Sequence, residues 1–411
     1  MTDFYDELET RSPEARAAAL MAALARQVAH ARAHAPAFAA SLAGVDAAAV
    51  AGMEALARLP VLRKAELTER QGKSPPFGGL AAVEPGRITR VFQSPGPIYE
   101  PESGRPDYWR FARALHAAGF RRGDIIHNCF SYHFTPAGSM VDTGAHLLGC
   151  GVFPAGPGQL ELQVRAIADI RPAGYVGTPS FLKMILDKAA ETGADTASLH
   201  CALVSGEALP GSLRDEFAKR GVAALQCYAT ADLGLIAYES SAREGHIVDE
   251  GVIVEIVRPG TGDPVPEGEV GEVLVTTLNP DYPLIRFATG DLSAVLPGTS
   301  PCGRTNQRIR GWMGRADQTT KVRGMFVHPS QVAAVAARHP EIGRFRLVVD
   351  RIQHNDVMTL RCEAGERPEG LAEAVATSVR ELCKLRGEVE LVDPGTLPND
   401  GKVIDDIRTY E

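Results

Sequence analysis

Tyr282-Pro283-Leu284-Ile285-Arg286-Phe287-Ala288-Thr289-Gly290-Asp291-Leu292 is the stretch on which the reading of this chain turns. Thr-Gly-Asp often closes a strand as a turn. A carboxylate placed there can also accept two hydrogen bonds at once, and charged acceptors make the stronger ones. A second stretch begins 22 residues later, Gly314-Arg315-Ala316-Asp317-Gln318-Thr319-Thr320-Lys321-Val322-Arg323-Gly324. Its Arg315 offers the planar, permanently charged fork that suits phosphate and hydroxyl groups. Either stretch alone is a weak signal; the two in this order and spacing are a strong one.

Outward from these stretches, the chain of 411 residues is too long for one ordinary core and implies two or three domains. It is 45% hydrophobic and 23% charged, the balance of a soluble globular protein. A formal net charge of −8 argues against a general nucleic-acid binder, whose affinity rests on neutralising phosphates. The first residues, Met1-Thr2-Asp3-Phe4-Tyr5-Asp6-Glu7-Leu8-Glu9, lack a basic-then-apolar leader, and no run of 18 apolar residues occurs. Cysteines at 129, 150, 201, 227, 302, 362 and 383 are odd in number and lack Cys-x-x-Cys spacing, which points to a reducing, cytoplasmic setting.

Residues 11–70 read as helix-rich, with a break at Leu59-Pro60-Val61-Leu62. From about 90 to 275, short β-branched runs such as Ile125-Ile126-His127, Gly151-Val152-Phe153 and Tyr175-Val176 alternate with amphipathic helices. That alternation predicts parallel strands with crossover helices. Residues 251–300 predict a hairpin-rich β-subdomain. Beyond Asp317 the pattern is strand 320–322, helix 329–339, strands 345–350 and 357–364, helix 370–385, strand 389–391. The expected fold class is therefore α/β. A large domain of mixed sheets, flanking helices and a β-subdomain spans residues 1–316, and a small α+β unit resembling a ferredoxin-like lid spans 317–411.

The two stretches, together with Tyr5-Asp6-Glu7-Leu8-Glu9-Thr10 and Pro75-Pro76-Phe77-Gly78-Gly79-Leu80, resemble adenylate-forming ligases, most closely the phenylacetate–CoA ligase group. The resemblance covers most of the chain. It implies that Asp291 holds both ribose hydroxyls and that Arg315 touches the ribose or phosphate. It makes Asp317 the hinge about which the lid turns between adenylation and thioester formation. Ser205-Gly206-Glu207 resembles the adenine-side loop; as bare sequence it is also an ordinary strand-to-helix turn. Tyr228 matches a ring that stacks on adenine, Thr230 a residue that binds the α-phosphate, and Asp232 a ligand of Mg²⁺. Here the family's Gly after Tyr is Ala229, the Thr stands one position early, and a shorter Asp stands for the usual acid. Lys402 resembles the lysine that neutralises charge during adenylation, although Asn399-Asp400 replaces the family's usual residues before Gly401. Arg323 and Gly324 fall where the family lines its CoA tunnel. Tyr132, His133 and Phe134, with Thr178 and Pro179 opposite, would wall a pocket for an aryl acid.

The departure lies at Phe92-Gln93-Ser94-Pro95-Gly96-Pro97-Ile98-Tyr99-Glu100-Pro101-Glu102-Ser103. Relatives carry a Ser/Thr/Gly-rich loop and a Lys there, to wrap the outer phosphates of ATP. Pro95, Pro97 and Pro101 each remove an amide donor. Glu100 and Glu102 would repel a polyphosphate, which leaves Ser94 and Gly96 as contacts. His246 and Cys302 match two places of a structural zinc found in some relatives; without further thiolates a closed zinc site is not expected. The implied activity is an ATP-, Mg²⁺- and CoA-dependent acid–thiol ligase acting on an aryl or arylacetic acid, with a homodimer left open. The alternatives are a degenerate nucleotide- or acyl-binding protein and an acyltransferase that does not use ATP.

Overall fold

The computed structural model describes residues 4–313, 315–316, 320–327, 329–352, 355–398 and 402–409. By contact the chain divides into two units, Met1–Thr289 with Ser293–Trp312, and Gly290–Leu292 with Met313–Glu411.

The first unit is built on a nine-stranded sheet. Gly151–Phe153, Ile125–Asn128, Gly174–Gly177, Cys201–Val204 and Ala223–Thr230 lie side by side and parallel. The sheet then turns antiparallel through Gly234–Glu239, His246–Val248, Arg308–Ile309 and Val295–Leu296. Helices Ala137–Leu148, Leu160–Ile170, Pro179–Thr192 and Gly211–Lys219 make the crossovers that the alternating pattern predicts. The third of these shows how sequence sets each crossover. The Thr178 hydroxyl accepts the Phe181 amide, Pro179 opens the first turn, and Gly193 at φ 68 ends the last. Leu182, Ile185, Leu186 and Ala189 recur at helical spacing and are buried.

A second sheet orders Leu62–Arg63, Phe287–Ser293, Gly271–Thr277 and Val252–Val257. Its centre is the opening stretch, in which Tyr282, Leu284, Ile285 and Phe287 are all buried. Arg286 is buried among them, in the left-handed region at φ 47. Its Nε and Nη2 donate to the two Glu255 carboxylate oxygens, both at 3.0 Å. Nη1 donates to the carbonyls of Ala57 and Leu59 at 2.8 and 2.7 Å, and Nη2 also to that of Gly262 at 2.6 Å. One guanidinium thus joins three distant segments.

The N-terminal segment is also internal. Glu9 is fully buried and accepts from the Tyr238 hydroxyl at 2.8 Å and the Tyr5 amide at 3.0 Å. Its carboxylate pairs with Arg304 at 3.0 Å. Asp6 caps the short helix Glu7–Thr10 through the Leu8 amide and accepts both prongs of Arg113.

The second unit carries a four-stranded sheet in the order Glu388–Val392, Asn355–Ala364, Ile342–Ile352, Ile404–Asp406. Helices Pro329–Ala337 and Leu371–Cys383 belong to the same unit. This is the expected α+β unit, with one difference of pairing. The strand at 320–322 pairs with Met325–Val327 as a separate ribbon, and Ile404–Asp406 takes a sheet edge. Among the described residues no helix is long and apolar enough to cross a membrane.

Candidate functional site

In open parallel sheets, ligands bind beyond the carboxyl ends of the strands. Three of the segments singled out in the sequence converge there in the first unit. Ser205, following strand Cys201–Val204, donates its hydroxyl to the Cys227 carbonyl at 2.8 Å. Glu207 accepts the Ser180 amide on its side chain at 3.3 Å and the Gln226 side-chain amide on its carbonyl at 3.0 Å. Gly206 between them stands at φ 81, a conformation that glycine takes at no steric cost. The segments 178–180, 205–207 and 226–228 are therefore knitted together by side chain-to-backbone bonds.

Tyr228 is buried and donates its hydroxyl to Thr289 Oγ1 at 3.3 Å. Thr230 accepts the Leu233 amide at 3.3 Å, which closes the turn that presents Asp232. Asp232 is buried; its Oδ2 receives Lys64 Nζ at 2.7 Å, and its Oδ1 has no hydrogen-bond partner among the described residues. A hard carboxylate oxygen left unpartnered in this way fits an oxygen-seeking cation such as Mg²⁺. Lys64 has no signal in the sequence because it opens a single 3-10 turn, Lys64–Glu66, too short for any periodicity to mark it.

The segment 92–103 is not an open loop. Ile88–Ser94 and Ile98–Ser103 form an antiparallel hairpin whose pairing runs to its tip at Ser94 and Ile98. Phe92, Ser94, Ile98, Glu100 and Glu102 face inward, while Val91 and Tyr99 face out. Ser94 donates to Glu100 Oε1 at 2.5 Å. Glu102 receives Arg90 at 2.5 Å, and the Trp109 indole and Ser139 hydroxyl at 2.6 Å each. The expectation that both acids repel a polyphosphate therefore changes, since neither faces outward. Burial, reinforced by the charge of Asp232, pushes Glu100 up to about 8, so it is mostly protonated at neutral pH.

This has a measurable consequence. The folded pKa of Glu100 lies above the unfolded value of 4.5, so the folded state keeps a proton that the unfolded chain loses. The stability this contributes is complete below the unfolded value and declines as pH rises through the folded one. Glu100→Gln imitates the protonated acid. It is expected to be more stable than the parent at about pH 9, by a few kcal/mol, with the gap closing towards about pH 5. Parallel melting curves across that range would count against it.

The aromatic segment is less of a wall than its sequence suggests. The Tyr132 ring packs over Gly138, and its hydroxyl lies 2.7 Å from Asp142 and 2.8 Å from the Asn128 amide. His133 is exposed, and Phe134 is 73% exposed at φ 60. Thr178 and Pro179 serve as the cap and first residue of their helix.

In the second unit the two stretches that opened the sequence reading meet. Arg315 Nη1 lies 3.0 Å from Asp291 Oδ1, and the two residues form an isolated antiparallel bridge. Ala316 donates its amide to the Gly290 carbonyl at 2.6 Å. Gly290 is at φ 75, and a Cβ there would come within 2.9 Å of the Arg315 guanidinium, so both the conformation and the close approach call for glycine. Arg323, at φ 47 before Gly324 at φ 82, is held by the Asp356 side chain and carbonyl. Lys402 is about half exposed and lies 3.3 Å from Asp405. Asp317 and the 399–401 segment fall outside the described residues. His246 and Cys302 do not gather further ligands: among the described residues no group of three or more His, Cys, Asp or Glu is placed to hold a metal.

Comparison with known proteins accords with this arrangement. Residues 108–279 match the family model described as AMP-binding enzyme, and 324–406 match its C-terminal domain. A phenylacetate–coenzyme A ligase of Thermus thermophilus is 31% identical over 96% of both chains. The chain belongs to the AMP-binding enzyme family. A second member, a phenylacetate–coenzyme A ligase of Escherichia coli, is 29% identical over 84% of each chain. A solved 2-hydroxyisobutyryl-CoA ligase, in complex with 2-HIB-AMP and CoA, superposes with a TM-score of 0.80 at 25% identity. It matches all of this chain over 93% of its own. The α/β architecture of this family is thus the one found here.

Proposed function

We propose that the chain is an AMP-forming acid–CoA ligase acting on an aryl or arylacetic acid. The observation that carries this reading is the contact between Asp291 and Arg315, which joins the two stretches around Gly290. The substrate carboxylate attacks the α-phosphorus of ATP; the bond to the β-phosphate oxygen breaks, and pyrophosphate leaves. The CoA sulfur then attacks the acyl carbon, AMP departs, and the thiol proton passes to solvent. Mg²⁺, when bound, screens the phosphate charge that builds up.

Asp291 accepts the ribose hydroxyls, and Arg315 keeps that carboxylate aimed. Tyr228 and the Ser205-Gly206-Glu207 loop border the adenine. Thr230 reaches the α-phosphate, and the open oxygen of Asp232 would hold Mg²⁺ when it binds. Lys402 neutralises charge only while the adenylate forms, which is where a mobile ammonium lowers the barrier most. Asp317 serves as the hinge between domains 1–316 and 317–411, and Arg323 and Gly324 border CoA. Tyr132, His133, Phe134, Thr178 and Pro179 border the acid. Location in the cytoplasm and assembly as a homodimer belong to the same proposal; gel filtration with light scattering tests the second.

The test of the activity is ATP–pyrophosphate exchange across aryl, arylacetic and short aliphatic acids. Exchange that depends on an aryl or arylacetic acid is the expected outcome. Exchange with an aliphatic acid alone would correct the substrate class. AMP binding without exchange for any acid would favour the acyltransferase or binding-protein reading.

A further inference from the structure

We infer that the hairpin 88–103 gives no grip to a triphosphate tail, so that this chain takes its nucleotide by the AMP half and binds ATP no tighter than AMP. This rests on the ligase reading above and sharpens it.

The argument is an accounting of donors. A polyphosphate is held by backbone amides, hydroxyls and cations aimed at it. In an antiparallel pair, alternate residues turn their amides into the ladder and out of it. Outward-turned Gln93 donates its amide to the Phe134 carbonyl, and outward-turned Tyr99 donates to Gln71 Oε1 at 2.8 Å. Phe92, Ser94, Ile98 and Glu100 lie at the intervening positions, where amides face the opposite strand. Pro95, Pro97 and Pro101 have none. Of the amides from 92 to 101, only that of Gly96 is left over by these pairings.

The side chains tell the same story. Ser94 is buried with its hydroxyl on Glu100. Arg90, the hairpin's cation, pairs with Glu102. The hairpin nevertheless adjoins the nucleotide segment: Gln71 exchanges hydrogen bonds with Tyr99 of the hairpin at 2.8 Å each, and Lys64, seven residues before Gln71, lies on Asp232 at 2.7 Å. A closed element with its donors committed therefore stands beside the 226–232 segment, where an open cradle would be needed. Among the described residues of this hairpin, selection for the triphosphate over the monophosphate has no source.

The test is calorimetric titration of the full chain with AMP, ADP and ATP in excess Mg²⁺, with inorganic tripolyphosphate as competitor. Dissociation constants for the three nucleotides within about threefold of one another are expected, with no displacement of AMP by millimolar tripolyphosphate. ATP binding about tenfold or more tighter than AMP, or displacement by tripolyphosphate, overturns the inference and leaves the ligase reading standing. Failure of all three nucleotides to bind overturns both. The contribution of the hairpin is read from Glu100→Gln, which removes the acid without opening the pairing. Unchanged nucleotide ratios in that variant are expected; a selective gain for ATP would show that the acid, rather than the committed donors, sets the preference.

Discussion

Asp291→Ala is expected to weaken nucleotide binding, and with it kcat/KM, by roughly two to three orders of magnitude. Hydrogen bonds to a charged group contribute about 1.5–3 kcal/mol each, and two are proposed to converge on this carboxylate. Each 1.4 kcal/mol corresponds to about tenfold in affinity. The substitution also deprives Arg315 of the carboxylate 3.0 Å from its guanidinium, so the partner loses its orientation. Asp291→Asn keeps the shape and loses the charge, and its loss should be intermediate. Calorimetry with AMP, alongside a circular dichroism spectrum to show that the fold persists, separates the two effects. Binding by the Ala variant within about twofold of the parent would remove Asp291 from the proposed site.

Arg286→Ala, a change five residues earlier, is expected to act on stability instead. It removes five hydrogen bonds and leaves Glu255 buried without its partner. Breaking a buried ion pair by taking one member typically costs about 3–5 kcal/mol. For a unit of this size that corresponds to a fall in Tm on the order of 10 °C, or to loss of soluble protein. Lysine cannot reproduce the fork that reaches Glu255 and three carbonyls together, so Arg286→Lys should rescue little. The double change Glu255→Met with Arg286→Met should cost less than Arg286→Ala, because no unpaired charge is left inside. A melting temperature for Arg286→Ala equal to the parent's would sink this account.

These two residues also show where a sequence can and cannot be read. Thr289-Gly290-Asp291 and Gly314-Arg315 were visible as a pair because their spacing is local and their chemistry is carried by residue type. The parallel strands were visible because β-branched runs alternated with helical periods. Arg286 stood in the same stretch without a role, since its partners at 57, 59, 255 and 262 come together only in the fold. The hairpin was hidden for a different reason. Its inward face carries Ser94, Glu100 and Glu102, and a strand that buries polar side chains breaks the apolar alternation by which strands are recognised. The prolines correctly signalled missing donors, but which way the acids faced was not legible. Lys64 had no signal of its own; only its contact with Asp232 marks it.

Glu9 carries a further consequence, for the order in which the protein is made. Its buried carboxylate is matched by Tyr238 and Arg304, which leave the ribosome more than two hundred residues after it. Asp6 can meet Arg113 earlier, but until Arg304 emerges the buried Glu9 carboxylate lacks one of the groups that match it. Contacts so far apart in the chain are slow to close, and domains fold as units once their parts are present. The segment around Glu9 is therefore among the last pieces to lock fully, and a nascent chain stopped short of residue 304 would leave the Glu9 carboxylate without Arg304 and that segment more open to proteases and chaperones.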